Sequence, residues 1–124
     1  MTFAFAAAGT GGHVYPALAV ADALREAGVA RQDIVFVGGS RMAATTVPAA
    51  GYDYLEVDIR GLKRSLSLDN LTLPSVVWRA SKRIQSEFAT RRVNVVIAFG
   101  GYIAVPTGWA ARRVGARLFV HEQN

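Results

Sequence analysis

The sequence predicts an α/β fold, a mostly parallel sheet with helices on both faces, with all 124 residues in one domain. Two observations carry that expectation. Short β-rich runs alternate with stretches of helical character along the whole chain, and the glycine-bearing polar segments fall where strands end. A domain of this length buries about two-thirds of the surface its unfolded chain exposes, enough for a real core but not for two.

The chain opens on Phe3–Ala8, an apolar run with no basic flank that leads into Gly9-Thr10-Gly11-Gly12. With no small-residue cleavage site, this reads as a buried first strand and not as a signal peptide. Val14–Ala27 is rich in Ala and Leu and closes at Gly28, which predicts a helix with a glycine C-cap. Asp33–Val37, Tyr54–Val57, Val93–Phe99 and Arg117–His121 supply the remaining strands. Pro74 opens a further helix, and another spans Tyr102–Val114. On a helical wheel Leu73, Val77, Ser81, Ile84 and Phe88 share one face, while Arg79, Lys82, Arg83 and Ser86 lie opposite and Trp78 and Leu71 fall at the boundary.

Composition narrows the function classes. Cysteine is absent, which removes disulfides and thiolate metal sites, and two histidines far apart in the sequence argue against zinc. No stretch reaches the roughly 18 apolar residues of a membrane-spanning helix, so a cytoplasmic protein, at most peripheral to a membrane, is expected. Fourteen basic residues against nine acidic ones give a net charge of +5, which suits an anionic partner. No recognised nucleic-acid motif accompanies the bases, which leaves phosphate groups or acidic lipid.

In open α/β sheets ligands collect beyond the carboxyl ends of the strands. Gly9-Thr10-Gly11-Gly12-His13 follows the first strand, Gly100-Gly101-Tyr102 the fourth, and His121-Glu122-Gln123-Asn124 ends the fifth, so all three should share one side of the sheet. Glycine lets the backbone turn sharply and approach a ligand, and a helix that follows aims free N–H groups at an anion. Two such loops suit a diphosphate or two phosphoryl groups. The common alternatives fail: counted from Gly9, the dinucleotide fingerprint would need glycine at Val14, and no Gly-Lys-Ser/Thr follows either loop. Glycines serving only tight turns remain an open reading for either loop alone. His13 has two readings as well, a residue that packs the first helical turn or a general base acting on a hydroxyl beside the phosphates.

Arg60–Leu73 mixes Lys63 and Arg64 with Leu66, Leu68, Leu71 and Leu73. Beside a helix carrying Trp78, Arg79 and Lys82, that mixture suits the headgroup region of an anionic membrane; the alternative is a solvated helix face and a loop folded over the core. A strand ending in Glu122-Gln123-Asn124 has nothing after it to use those side chains, and the expectation is that the chain is half of something larger.

Gly9-Thr10-Gly11-Gly12-His13-Val14-Tyr15-Pro16-Ala17-Leu18-Ala19, with Gly100-Gly101-Tyr102 and His121-Glu122-Gln123-Asn124, closely resembles the MurG family of bacterial cell-wall glycosyltransferases. The likeness runs the whole chain, through Arg41-Met42, Val47-Pro48, Gly51 and Arg60-Gly61-Leu62. It implies a Rossmann-like N-terminal half of a two-domain GT-B enzyme that transfers N-acetylglucosamine from UDP-N-acetylglucosamine to the 4-hydroxyl of lipid I, giving lipid II, with inversion and without metal or other cofactor. It implies that Thr10, Gly11, Gly12 and Asn124 contact the donor or the diphosphate. His13, Tyr102 and Glu122 would position or deprotonate the acceptor hydroxyl, His13 being the first choice of base and Glu122 the second.

The resemblance also implies that the family's membrane patch falls on the Lys63–Arg83 region, and the expectation is a peripheral protein on the cytoplasmic face of the inner membrane. Ala8 stands where the family usually begins its loop with another glycine, and Ala43-Ala44 replace an acidic residue often found there. The C-terminal donor domain is missing, so the chain alone should be inactive. The alternative is a non-catalytic membrane-binding subunit that recruits a separate donor-domain partner.

Overall fold

The computed structural model describes residues 1–7, 11–39, 42–58, 73–100 and 102–121. Among these, five strands form a single all-parallel sheet: β1 (Thr2–Ala6), β2 (Ile34–Gly38), β3 (Asp53–Glu56), β4 (Val93–Ala98) and β5 (Arg117–Val120), in the order β3-β2-β1-β4-β5. The helices are α1 (Gly11–Glu26), α2 (Met42–Ala49), α3 (Leu73–Arg91) and α4 (Ala104–Arg113).

Both faces of the sheet are covered, and the two faces are packed in opposite ways. Alternate side chains of a strand point to opposite sides. On one side the strands present Phe5, Phe36 and Phe99, and α1 meets them with Val14, Ala17 and Ala21. On the other they present Ala4, Ala6, Val35 and Ala98, and Ile84 and Phe88 of α3 answer them together with Ile103, just before α4. Large strand residues thus face mainly small helix residues in the first layer, and small strand residues face large ones in the second. The ring stack of Phe5 on Phe36, with centroids 5.1 Å apart, ties β1 to β2 inside the first layer.

α1 closes as expected at Gly28, whose φ of +107° accompanies bonds from Val29 N–H to the Leu24 carbonyl and from Gly28 N–H to the Arg25 carbonyl. It begins earlier than the Ala- and Leu-rich run implied, at Gly11 instead of Val14, so that Gly11 and Gly12 are helical residues. β1 is correspondingly shorter, ending at Ala6. The last helix also starts later than expected, at Ala104, after a turn that holds Tyr102 and the buried Ile103. α3 buries Val77, Ser81, Ile84 and Phe88 and exposes Arg79, Lys82, Arg83 and Ser86, the division the helical wheel predicts. At its far end Arg91 bonds Glu87 at 3.0 Å and Asp53 of β3 at 2.9 Å, which pins the helix terminus to the sheet.

Candidate functional site

The strand order reverses direction between β1 and β4, because chain progression runs outward from β1 on one side and from β4 on the other. Two strand exits diverge there, and the crevice between them is where an open α/β sheet binds its ligand. Both expected glycine segments belong to these exits. The β4 exit is fixed by a bond from Phe99 N–H to the Ala6 carbonyl at 2.9 Å, and Gly100 follows it with φ +88°, a conformation that a side chain at this position would strain. From the β1 side, α1 begins at Gly11-Gly12-His13 with no acidic residue in its first turn, so its N–H groups and dipole favour an anion.

His13 is the residue that joins the two exits. It is half-buried in the first turn of α1, and its Nε2 lies 3.5 Å from where a Cβ on Gly100 would stand. It is the backbone conformation of Gly100, more than the space beside His13, that calls for glycine there. Tyr102, 37% exposed, stands just beyond Gly100.

His121, to which the sequence assigned no role, also reaches this strand exit. Its backbone N–H donates to the Ala98 carbonyl at 2.8 Å, continuing the β4–β5 ladder, and its ring lies against Phe99 with centroids 5.4 Å apart. The two histidines, distant in sequence, therefore arrive at consecutive residues of one strand exit. Among the described residues no three His, Cys, Asp or Glu side chains are grouped to hold a metal ion. Thr10, Gly101, Glu122 and Asn124 lie outside the described residues, as do Lys63, Arg64, Leu66, Leu68 and Leu71.

On the face opposite α1, Trp78 of α3 is 49% exposed and the Lys82 ammonium sits 5.6 Å from its ring centroid. Arg79 and Arg83 are exposed on the same helix. α4 packs beside α3 and adds Trp109 and Val105, both exposed, which the wheel of α3 alone could not reveal. Among the described residues no helix is long and apolar enough to cross a membrane.

An all-parallel sheet in this order, with an imidazole between two glycine-bearing exits at its point of reversal, defines a Rossmann-like domain. Residues 3–124 match the glycosyltransferase family 28 N-terminal domain, and the chain belongs to that family. It is 43% identical over 128 residues to the UDP-N-acetylglucosamine–N-acetylmuramyl-(pentapeptide) pyrophosphoryl-undecaprenol N-acetylglucosamine transferase of Halorhodospira halophila, covering 99% of this chain and 34% of the relative. The transferase of the same name from Amoebophilus asiaticus is 44% identical over 123 residues, with 94% of this chain and 32% of the relative covered.

Among solved structures, Acinetobacter baumannii MurG superposes with a TM-score of 0.82 at 32% identity, over 99% of this chain and 35% of that one. A glycosyltransferase from Rickettsia africae shares the fold, with a TM-score of 0.72 at 15% identity over 96% of this chain and 28% of its own. The architecture is that of the N-terminal half of a GT-B enzyme, as the sequence motifs implied. The chain spans about a third of the length of the curated relatives it matches.

Proposed function

We propose that this chain is the acceptor-binding half of a transferase that moves N-acetylglucosamine from UDP-N-acetylglucosamine to the 4-hydroxyl of the muramyl sugar of lipid I, forming lipid II. The observation that carries the reading is the His13 imidazole set against Gly100 at the reversal point of the sheet. An imidazole there is placed to take the hydroxyl proton as the oxygen attacks the anomeric carbon from the face opposite the departing UDP, so the sugar carbon inverts. The Gly11–Gly12 amides at the start of α1 would carry part of the diphosphate charge, and Tyr102 would orient the acceptor sugar. Glu122 is the second candidate for the base, and Thr10, Gly101 and Asn124 complete the proposed set of substrate contacts.

The donor's uridine would be held by the C-terminal domain that the relatives carry in the remaining two-thirds of their length. Residues 1–124 in isolation would leave the sugar carbon unheld and transfer nothing. Assay of the isolated chain with UDP-N-acetylglucosamine and a lipid I analogue tests this directly. The expected result is no transfer until a donor domain is supplied; robust turnover by the chain alone overturns the half-site reading.

The basic, Trp-edged face of α3, continued by Trp109 on α4, supports peripheral attachment to an anionic inner-membrane surface on its cytoplasmic side. Lys63, Arg64, Leu66, Leu68 and Leu71 precede α3 in the chain and belong to the same proposed patch, with Trp78, Arg79 and Lys82. Such attachment would bring the crevice to a lipid-linked acceptor.

A further inference from the structure

The exit of β2 is held more firmly than a strand end outside the crevice needs to be. Three bonds converge on three successive carbonyls: Ala7 N–H donates to Val37 at 3.1 Å, Val57 N–H to Gly38 at 2.7 Å, and the Tyr54 hydroxyl to Gly39. Tyr54 reaches Gly39 from β3, where it is paired with Phe36, so its side chain crosses the strand end and closes over it. Gly38 is fitted into the same joint. A Cβ there would stand 2.5 Å from the Tyr54 hydroxyl and 2.6 Å from the Ala7 carbonyl, closer than real Cβ atoms come, so neither neighbour leaves space for a side chain. Ala7 is the residue from which β1 runs toward the first glycine loop and α1. The proposed reaction leaves Tyr54 without a role.

We infer that Tyr54 is a positioning residue: by clamping Gly39 it holds the β2 exit against Ala7 at the end of β1 and thereby fixes where the Gly11–Gly12 amides at the start of α1 stand relative to a bound diphosphate. The phenol suits the task. Burial, and then the charge of Glu56, push its pKa upward, so it stays a hydrogen-bond donor throughout the physiological range. The inference rests on the reading that the Gly11–Gly12 amides meet a diphosphate, and the experiment separates the two.

Tyr54→Phe, Gly12→Ala and the parent are compared in the complete transferase at a temperature where all are folded. Removing one hydrogen bond of ordinary net strength is expected to raise KM for UDP-N-acetylglucosamine about fivefold in Tyr54→Phe, with kcat within about twofold of the parent. Hydrogen exchange of the Gly11 and Gly12 amides should accelerate in the same variant, without ligand. A lowered unfolding midpoint with unchanged KM and unchanged exchange at those amides would mean that Tyr54 only braces the sheet, and the inference falls. If Gly12→Ala alters KM while Tyr54→Phe does not, the diphosphate reading stands and the inference fails. If exchange accelerates but neither variant alters KM, the diphosphate reading fails and takes the functional part of the inference with it. Gly38→Ala supplies an independent check. Forced into the same joint, it should raise KM similarly, and the Gly38→Ala, Tyr54→Phe double variant should show less than the product of the two effects. Multiplicative effects would overturn the clamp.

Discussion

The His13 imidazole rests against Gly100, its Nε2 3.5 Å from the place a Cβ would take. The contact spans the two central strand exits, since His13 belongs to the helix that follows β1 and Gly100 to the turn that follows β4. At 3.5 Å a methyl group would make an ordinary van der Waals contact, so sterics alone would tolerate alanine. The backbone would not: φ is +88°, and an L side chain in the left-handed region costs about 1–2 kcal/mol. Gly100→Ala is therefore expected to lower the unfolding free energy by that amount, read as a lower urea midpoint. Relaxation of the strain would move residue 100 into His13, so turnover in the complete transferase should fall about tenfold or more. Full turnover in a destabilised variant would show that the contact serves the fold alone.

His13→Ala separates the two readings of the histidine. A general base contributes about 10²–10⁴-fold to rate, so kcat should drop by at least a hundredfold. His13 is only half-buried, and the unfolding free energy should change by less than about 1 kcal/mol. Normal turnover would reduce His13 to a residue that packs the first helical turn, and would turn attention to Glu122.

Much of this arrangement is legible in the residues, and the rest fails for identifiable reasons. Phe5 and Phe36 sit in continuous apolar runs of strand length, and a parallel sheet buried on both faces produces such runs. Ser81 was assignable to the buried face of α3 because Val77, Ile84 and Phe88 set the helical period around it. α2 left no comparable trace, since Thr45, Thr46 and Val47 are β-branched and Pro48 follows them; tertiary packing of Ala43 and Val47 overrides that local preference. Loop glycines are visible in a sequence, but helix starts at glycine are not, and Gly11 and Gly12 were read as loop for that reason. His121 meets Phe99 only through the β4–β5 register, a pairing that no local pattern encodes.

The Trp78–Lys82 pair and Trp109 bear on membrane attachment. With vesicles containing anionic phospholipid, Lys82→Ala should weaken binding about fivefold, as expected for one basic residue near a charged surface. Trp78→Ala and Trp109→Ala should each weaken binding to a similar extent by removing exposed aromatic area, 49% and 41% exposed respectively. Raising the salt concentration should weaken the parent and flatten the effect of Lys82→Ala, because surface charges are screened beyond about 10 Å at 0.1 M. Equal binding to neutral and anionic vesicles would reject an electrostatic patch.

Two tyrosines make stability depend on alkaline pH. Tyr52 has a buried ring whose hydroxyl donates to Asp22; burial and then that carboxylate raise its pKa, while Arg25 opposes the shift. Burial and then Glu56 raise the pKa of Tyr54 further. In the unfolded chain both phenols ionise near their ordinary value of about 10. Above that pH the folded state holds more protons than the unfolded one, so the unfolding free energy falls as pH rises. The stabilisation is complete below pH 10, and it drains away as pH climbs from there toward the folded-state values. Urea midpoints measured from pH 8 to about 11.5 should hold steady and then decline once the phenols of the unfolded chain begin to ionise. Tyr52→Phe and Tyr54→Phe should each be less stable than the parent at pH 8, having lost a hydrogen bond, but should decline less steeply above pH 10. A midpoint that stays flat or rises with pH above 10 in the parent would mean that neither hydroxyl is held as a proton donor in the folded domain.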